Sequence, residues 1–120
     1  MEVFEKKSVD DVFVIGVNLT RSTLNEAIEF RKIIEEEISS GHTNLVFDLS
    51  KCEHIDSTFL GEIIKSFKKM ANIGGALRIV EPAIPAQDIF MLTNTLRLFD
   101  LYKTREDAIK SFEEDIQPES

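Results

Sequence analysis

The chain changes from a strand pattern to a helix pattern at His54-Ile55-Asp56-Ser57-Thr58-Phe59-Leu60-Gly61. Before this stretch, the apolar run Asn44-Leu45-Val46-Phe47-Asp48-Leu49-Ser50 has the length and density typical of a strand buried on both faces. After it, apolar residues recur at helical spacing and predict one buried stripe, formed by Leu60, Ile63, Ile64, Phe67 and Ala71. The stretch therefore predicts the start of a helix.

Two side chains at this helix start are candidates for a functional role. Either Asp56 or Ser57 can cap the free N–H groups of the first turn. A hydroxyl at this point also lies beside the positive end of the helix dipole, where a phosphate is well tolerated. From the residues alone, a simple cap is the commoner explanation, because Ser and Asp begin helices in proteins of every class.

The same residues carry a family resemblance. The motif Ile55-Asp56-Ser57-Thr58, followed by Leu60-Gly61, resembles the signature of bacterial anti-sigma factor antagonists, the small cytoplasmic members of the STAS domain family. The resemblance extends from about Glu2 to Phe112. It implies that Ser57, the hydroxyl residue directly after the Asp, is phosphorylated by a partner that is both a kinase and an anti-sigma factor. It ranks Thr58 well below Ser57.

The resemblance also implies partners. The unphosphorylated protein would bind the anti-sigma factor kinase and release a sigma factor, and a separate phosphatase would reset the phosphorylated form. ATP would belong to the kinase, so neither a cofactor nor a catalytic residue is expected in this chain. The partner-binding residues implied in this way are Thr20, Arg21, Asp56, Ser57, Thr58, Phe59 and Leu60.

Two positions depart from the family pattern. Phe59 stands where these antagonists often have Gly, and its ring either changes the surface that a kinase must accept or turns inward to fill the core. Thr20 stands after Leu19, where the family usually carries an Asp that contributes to the partner interface. Arg21 could supply a different contact or be a solvated loop charge.

The remaining patterns predict an α/β fold of STAS type. Strands are expected at Val3–Lys7 and Val12–Val17, joined by a turn over Ser8–Asp11, and then at Leu45–Leu49, Ala76–Val80 and Leu98–Tyr102. Helices are expected after a Thr23/Glu26 capping box as far as Ser39-Ser40-Gly41, from Ser57 to about Asn72 before Gly74-Gly75, around Ala86–Thr93, and from Thr104 to about Phe112. We therefore expect one domain over residues 1–112, with about four helices on a mixed sheet of four to five strands, and an acidic, frayed tail over 113–120.

Composition excludes several classes of protein. A net charge of −8 argues against sequence-independent binding to nucleic acid or to anionic membranes. No apolar run approaches the roughly 20 residues needed to span a bilayer. The N-terminus lacks the order of a secretory signal, and the one cysteine, Cys52, cannot form an internal disulfide. These features predict a cytoplasmic protein.

Alternative chemistry has weaker support. Cys52, His54 and Asp56 alternate, but three mixed ligands without a fourth are weak evidence for a metal site, and we expect none. Ser57 lacks the flanking glycines of a nucleophile elbow, which disfavours a small Ser-dependent enzyme. A STAS module serving another assembly, such as a stress-sensing complex or a transporter partner, remains the main alternative.

Overall fold

The structure, a computed structural model, describes residues 3–19, 21–22, 24–83 and 101–116. Within these residues the strands are β1 (Phe4–Val9), β2 (Val12–Val17), β3 (Arg21–Ser22), β4 (Asn44–Asp48), β5 (His54–Ile55), β6 (Ala76–Val80) and β7 (Leu101–Tyr102). The helices are α1 (Leu24–Ser39), α2 (Ser57–Asn72) and α3 (Arg105–Ile116).

Five strands form one mixed sheet in the order β1-β2-β4-β6-β7. The β1–β2 pair is antiparallel and every other pair is parallel, as the sequence predicts. Val9 pairs with Val12, so β1 ends two residues later than expected and the turn consists of Asp10 and Asp11 alone. Asp10 has a φ of 53°, a left-handed conformation that a short polar side chain tolerates.

The sheet is covered on both faces. On one face, α1 and α2 pack on alternate strand residues such as Ile15, Phe47 and Ile79. On the other face, α3 places Ala108 and Phe112 against the valines of β2, β4 and β6. Burial on both sides explains why the central strands consist of apolar runs rather than alternating patterns.

The buried side of α2 is rotated from the predicted stripe. Phe59, Leu60, Ile63 and Met70 are buried, whereas Ile64 and Phe67 are half-buried and Ala71 is exposed. The prediction was wrong at Ala71 because it counted apolar residues alone. The buried side also includes two polar residues, Glu62 and Ser66, and the Ser66 hydroxyl donates to the Glu62 carbonyl at 2.8 Å.

The helix ends follow their predicted signals. Gly41 and Gly74 lie two residues beyond the ends of α1 and α2 and have φ of 94° and 76°, which favours glycine at both positions. At the start of α3, the Asp107 N–H donates to the Thr104 hydroxyl at 3.1 Å.

Some predicted boundaries change or fall outside the described chain. Helix α3 continues to Ile116, so the predicted tail loses residues 113–116 to the helix. The helix expected over residues 86–93, the strand positions 98–100 and the Thr23 cap lie outside the described residues. Three of the four expected helices are therefore described.

Candidate functional site

Ser57 is the first residue of α2, and its side chain is exposed. Asp56, rather than Ser57, provides the cap. Its backbone is extended, and one carboxylate oxygen accepts from the Phe59 N–H at 2.8 Å. Since Asp56 supplies the oxygen that the first turn needs, the Ser57 hydroxyl is not required for this bond and is presented at the helix start.

The segment that leads to Ser57 begins with an ordered turn. The Asp48 carboxylate accepts from the Ser50 N–H at 3.0 Å, and the Cys52 N–H donates to the Leu49 carbonyl at 2.9 Å. Two further backbone bonds join this segment to β6 and the residues after it, from Leu49 N–H to the Val80 carbonyl and from Ala83 N–H to the Cys52 carbonyl. The approach to Ser57 is thus fixed by hydrogen bonds along its first half.

A short second sheet brings two predicted parts of the site together. Strands β3 and β5 pair in parallel, with Arg21 opposite His54 and Ser22 opposite Ile55. The backbone at Arg21 therefore lies beside the residues that immediately precede Asp56 and Ser57. Thr20, the other predicted residue of this loop, lies outside the described residues. The sequence did not predict this pairing, because each strand is only two residues long.

Two residues of the predicted partner surface lie inside the protein. The Phe59 side chain is 0% exposed, and its ring stacks on Phe30 at a centroid distance of 4.9 Å. Leu60 is 2% exposed in the same core. Of the two possibilities for Phe59, the ring fills the core. Among the predicted surface residues whose side chains the structure describes, Asp56, Ser57 and Thr58 are exposed.

Charged residues also lie on the two elements that carry this surface. Lys51, Glu53 and His54 are exposed on the preceding segment, and Lys65 is exposed two turns further along α2. Behind it, the buried Glu62 carboxylate lies 3.9 Å from Arg31 of α1 and 3.5 Å from Lys65. Apart from His54, none of these residues was singled out from the sequence, because their types and spacing alone carry no distinctive signal.

A second cluster of charges lies on the α3 face of the sheet, where the amino end of β1 meets the carboxyl ends of β2 and β4. Arg105 donates from Nε to Asp48 at 2.9 Å and from Nη2 to Glu5 at 2.9 Å. Hydrogen bonding to Arg105 holds the pKa of the Glu5 carboxyl below its usual range, and the bond with Glu5 raises the pKa of Arg105. We call Arg105, Glu5 and Asp48 the Arg105 clamp. Its members are too far apart in sequence for any local pattern to reveal it.

The alternating residues considered as metal ligands do not converge. Cys52 is fully buried with its Sγ 3.9 Å from the Val17 carbonyl oxygen, whereas His54 and Asp56 are exposed. In the described part of the chain, no three His, Cys, Asp or Glu side chains are grouped in a way that could hold a metal ion. Nor does any described helix have the length and apolar character required to cross a membrane.

Comparison with known proteins places this site in context. A Thermotoga maritima protein described as a "putative anti-sigma factor antagonist" is 29% identical over 108 residues, which cover 90% of this chain and 96% of that protein. The crystal structure of a "putative anti-sigma factor antagonist" from Thermotoga maritima superposes with a TM-score of 0.82 at 30% identity, covering 90% of this chain and 92% of the other.

More distant structures share the fold. An anti-sigma factor antagonist from Mycobacterium paratuberculosis gives a TM-score of 0.80 at 24% identity and covers 90% of this chain and 91% of its own. The anti-sigma factor antagonist SpoIIAA in its unphosphorylated form gives 0.80 at 16% identity and covers 95% and 99%. The model of the STAS domain family matches residues 5–108. The chain therefore belongs to the STAS domain family.

Proposed function

We propose that this protein is a cytoplasmic anti-sigma factor antagonist switched by phosphorylation of Ser57. Without phosphate, the exposed surface at Asp56, Ser57 and Thr58, together with the neighbouring loop at Thr20 and Arg21, binds an anti-sigma factor serine kinase and so releases a sigma factor. Phosphorylation weakens this complex, and a phosphatase restores it. ATP is bound by the kinase, and this chain contributes no catalysis of its own.

The observation that supports this proposal is that Asp56 and Ser57 are placed differently at the start of α2. Asp56 caps the helix, while the Ser57 side chain is exposed at its first position. A hydroxyl that is not needed for the cap can be modified without loss of a structural bond. The similarity to the Thermotoga maritima protein over nine tenths of the chain supports the assignment to this class of regulators.

The position also determines what a phosphate would do. It would add about −1.5 to −2 charges near pH 7, directly beside the Asp56 carboxylate. The free N–H groups at the start of α2 stabilise an anion, so the fold should persist. The charge would act on the partner instead, because a surface shaped for a neutral hydroxyl would be left with a desolvated, unpaired charge.

The experiment is phosphorylation of the purified protein by its cognate kinase with ATP. Intact mass should show one added phosphate, and peptide mass spectrometry should place it on Ser57. Ser57→Ala should remain unmodified, whereas Thr58→Ala, the matched neighbouring variant, should be modified as the wild type is. Phosphate on Thr58, or modification of Ser57→Ala, would refute the assignment.

The binding step is tested on the same samples. The phosphoprotein should bind the kinase more weakly than the unmodified protein by a factor on the order of one hundred, the range for a buried, unpaired interfacial charge. Its thermal unfolding midpoint should stay close to that of the unmodified protein. Equal affinities, or unfolding on phosphorylation, would show that this surface does not act as a repulsive switch.

A further inference from the structure

We propose that Arg105 is a positioning residue for Ser57, acting through Asp48 on the segment that leads to the start of α2. Its consequence for phosphorylation rests on the function proposed above, but its effect on the segment itself does not. Arg105 is the first residue of the last described helix. It is far from Ser57 in the sequence and is not part of the motif around Ser57. Its influence follows from where its guanidinium is held.

The two oxygens of the Asp48 carboxylate accept hydrogen bonds from different parts of the chain. One oxygen accepts from the Ser50 N–H at 3.0 Å and so shapes the first turn after β4. The other accepts from Arg105 Nε at 2.9 Å. With only one of these bonds, the carboxylate could rotate about its side-chain torsion. With both, its orientation is fixed, and the turn that begins the path to Ser57 is fixed with it.

Glu5 holds the other side of the guanidinium. It accepts from Nη2 at 2.9 Å and from Nη1 at 3.4 Å, a two-pronged pairing that orients the planar group. The strand register places Glu5 opposite Gly16, and Gly16 opposite Asp48, in one row across the sheet. The clamp therefore ties the edge strand β1 to the end of β4 across the intervening strand β2.

Gly16 leaves room for this arrangement. A Cβ at residue 16 would lie 2.8 Å from Glu5 Oε1 and 2.9 Å from Arg105 Nη2, closer than such contacts occur. Both atoms are at the ends of flexible side chains and can move away, so an alanine would displace the clamp. The added Cβ would also lie 3.3 Å from the Glu5 Cβ, so β1 would have to shift by a few tenths of an ångström. Gly16→Ala thus offers a second way to open the clamp while leaving all three charged residues in place.

Arg78 provides a matched control, because it is another arginine that attaches α3 to the same face of the sheet. Its Nε donates to the Ser111 hydroxyl at 3.1 Å, and its guanidinium lies 4.7 Å from the centre of the Phe112 ring. Arg78 pairs with Val46 in the middle of β4, two residues before Asp48. Loss of Arg78 should loosen α3 without releasing the turn at Ser50.

The first test needs no partner protein. Amide hydrogen exchange is measured by NMR on wild type, Arg105→Met, Gly16→Ala and Arg78→Met. In Arg105→Met and Gly16→Ala, exchange at Ser50 should be about two- to tenfold faster, the factor expected when one ordinary hydrogen bond is weakened. Exchange at Val14 and Val46 in the central strands should be unchanged. In Arg78→Met, the acceleration should be confined to α3.

The second test uses the kinase. If the segment spends less time in the productive arrangement, the apparent affinity falls by the lost fraction while the bound complex reacts as before. The rise in KM is the inverse of the fraction that stays productive, so a segment that is ordered half of the time doubles KM. We therefore expect Arg105→Met and Gly16→Ala to raise KM for this protein as a substrate about twofold, with kcat little changed. Arg78→Met should leave both close to the wild-type values.

The outcomes separate the two proposals. Unchanged exchange at Ser50 in Arg105→Met, or equal acceleration there in Arg78→Met, would overturn the positioning role whatever the kinase does. Faster exchange at Ser50 with no change in KM would confine Arg105 to a structural role and also overturn it. A wild-type protein that the kinase does not phosphorylate would refute the function proposed above, while the exchange data would still decide whether the clamp orders the segment.

Discussion

Asp56 shows how one side chain can determine what its neighbour is free to do. Sequence reasoning identified Asp56 and Ser57 as alternative caps, because both residue types favour helix starts. The geometry that distinguishes them is the extended backbone of Asp56 and its 2.8 Å bond to the Phe59 N–H. A backbone torsion of this kind is set by the path of the whole loop, and it cannot be derived from the local residues.

The cap makes a direct prediction. Asp56→Ala should lower the free energy of unfolding by about 1 kcal/mol, because one N–H of the first turn loses its acceptor. Asp56→Asn keeps a side-chain oxygen at the same place and should retain most of that stability. Urea unfolding of the three proteins measures the effect. If the Asn variant were as destabilised as the Ala variant, the carboxylate charge rather than the cap would be responsible.

Phe59 is a residue whose side-chain direction the sequence left open. Its position in the motif was evident from the sequence, but the direction of its ring was not. The ring lies inside because Phe30 of α1 offers a stacking partner 4.9 Å away, and Phe30 itself contacts Phe4 and Phe47. Such an aromatic cluster joins residues from four separate elements, which no single-window pattern can detect. It removes Phe59 from the predicted partner surface while anchoring the first turn of α2.

In helix α2, the sequence pattern predicted where the helix begins and ends but not which side of it is buried. The helix and both its ends were predictable, since an apolar stripe, a capping residue and two glycines all indicated the same boundaries. Its rotation was not, because Ser66 satisfies its hydroxyl within the helix and can be buried like an apolar residue.

The rotation can be measured with adjacent isoleucines. Ile63→Ala should cost about 2–5 kcal/mol, because the side chain is fully buried. Ile64→Ala should cost clearly less, since Ile64 is only half-buried against the core. Lys68→Ala, at an exposed position of the same helix, should change stability by no more than about 0.5 kcal/mol. A larger loss for Ile64 than for Ile63 would restore the predicted stripe.

Among the strands, the longer ones were predicted from the sequence and two of the shortest were missed. The hairpin and the central strands were found because each carries five or six residues of strand pattern. The pair β3–β5 was missed, since two residues carry no periodicity. This pair joins the Arg21 loop to the approach to Ser57, so the least predictable element is the one that assembles the candidate site.

For the whole molecule, the Arg105 clamp predicts a pH dependence. Because the pKa of Glu5 is lowered on folding, its contribution is present above the unfolded pKa of about 4.3 and is lost as pH falls through the lower folded value. The Glu5 side chain is 43% exposed, so solvent screening should keep the contribution below about 1 kcal/mol.

The measurement is the difference in free energy of unfolding between wild type and Glu5→Gln from pH 7 to pH 3. It should be constant above about pH 5 and shrink towards zero below about pH 4, since protonated Glu5 resembles Gln. In an Arg105→Met background the same substitution should have little pH-dependent effect, which isolates the pair. A difference that grew on acidification would contradict the sign of the Glu5 shift.

The clamp joins residues that are 100 positions apart in the chain. At a synthesis rate of roughly 5–20 residues per second, Glu5 is made about 5–20 seconds before Arg105 is made. During that interval the hairpin, β4 and the Ser57 helix can already have formed, but the turn after Asp48 is still without its arginine. Only a chain that includes Arg105 would offer Ser57 in its fully ordered setting, so under the function proposed above the switch would become available only after the start of α3 has been made.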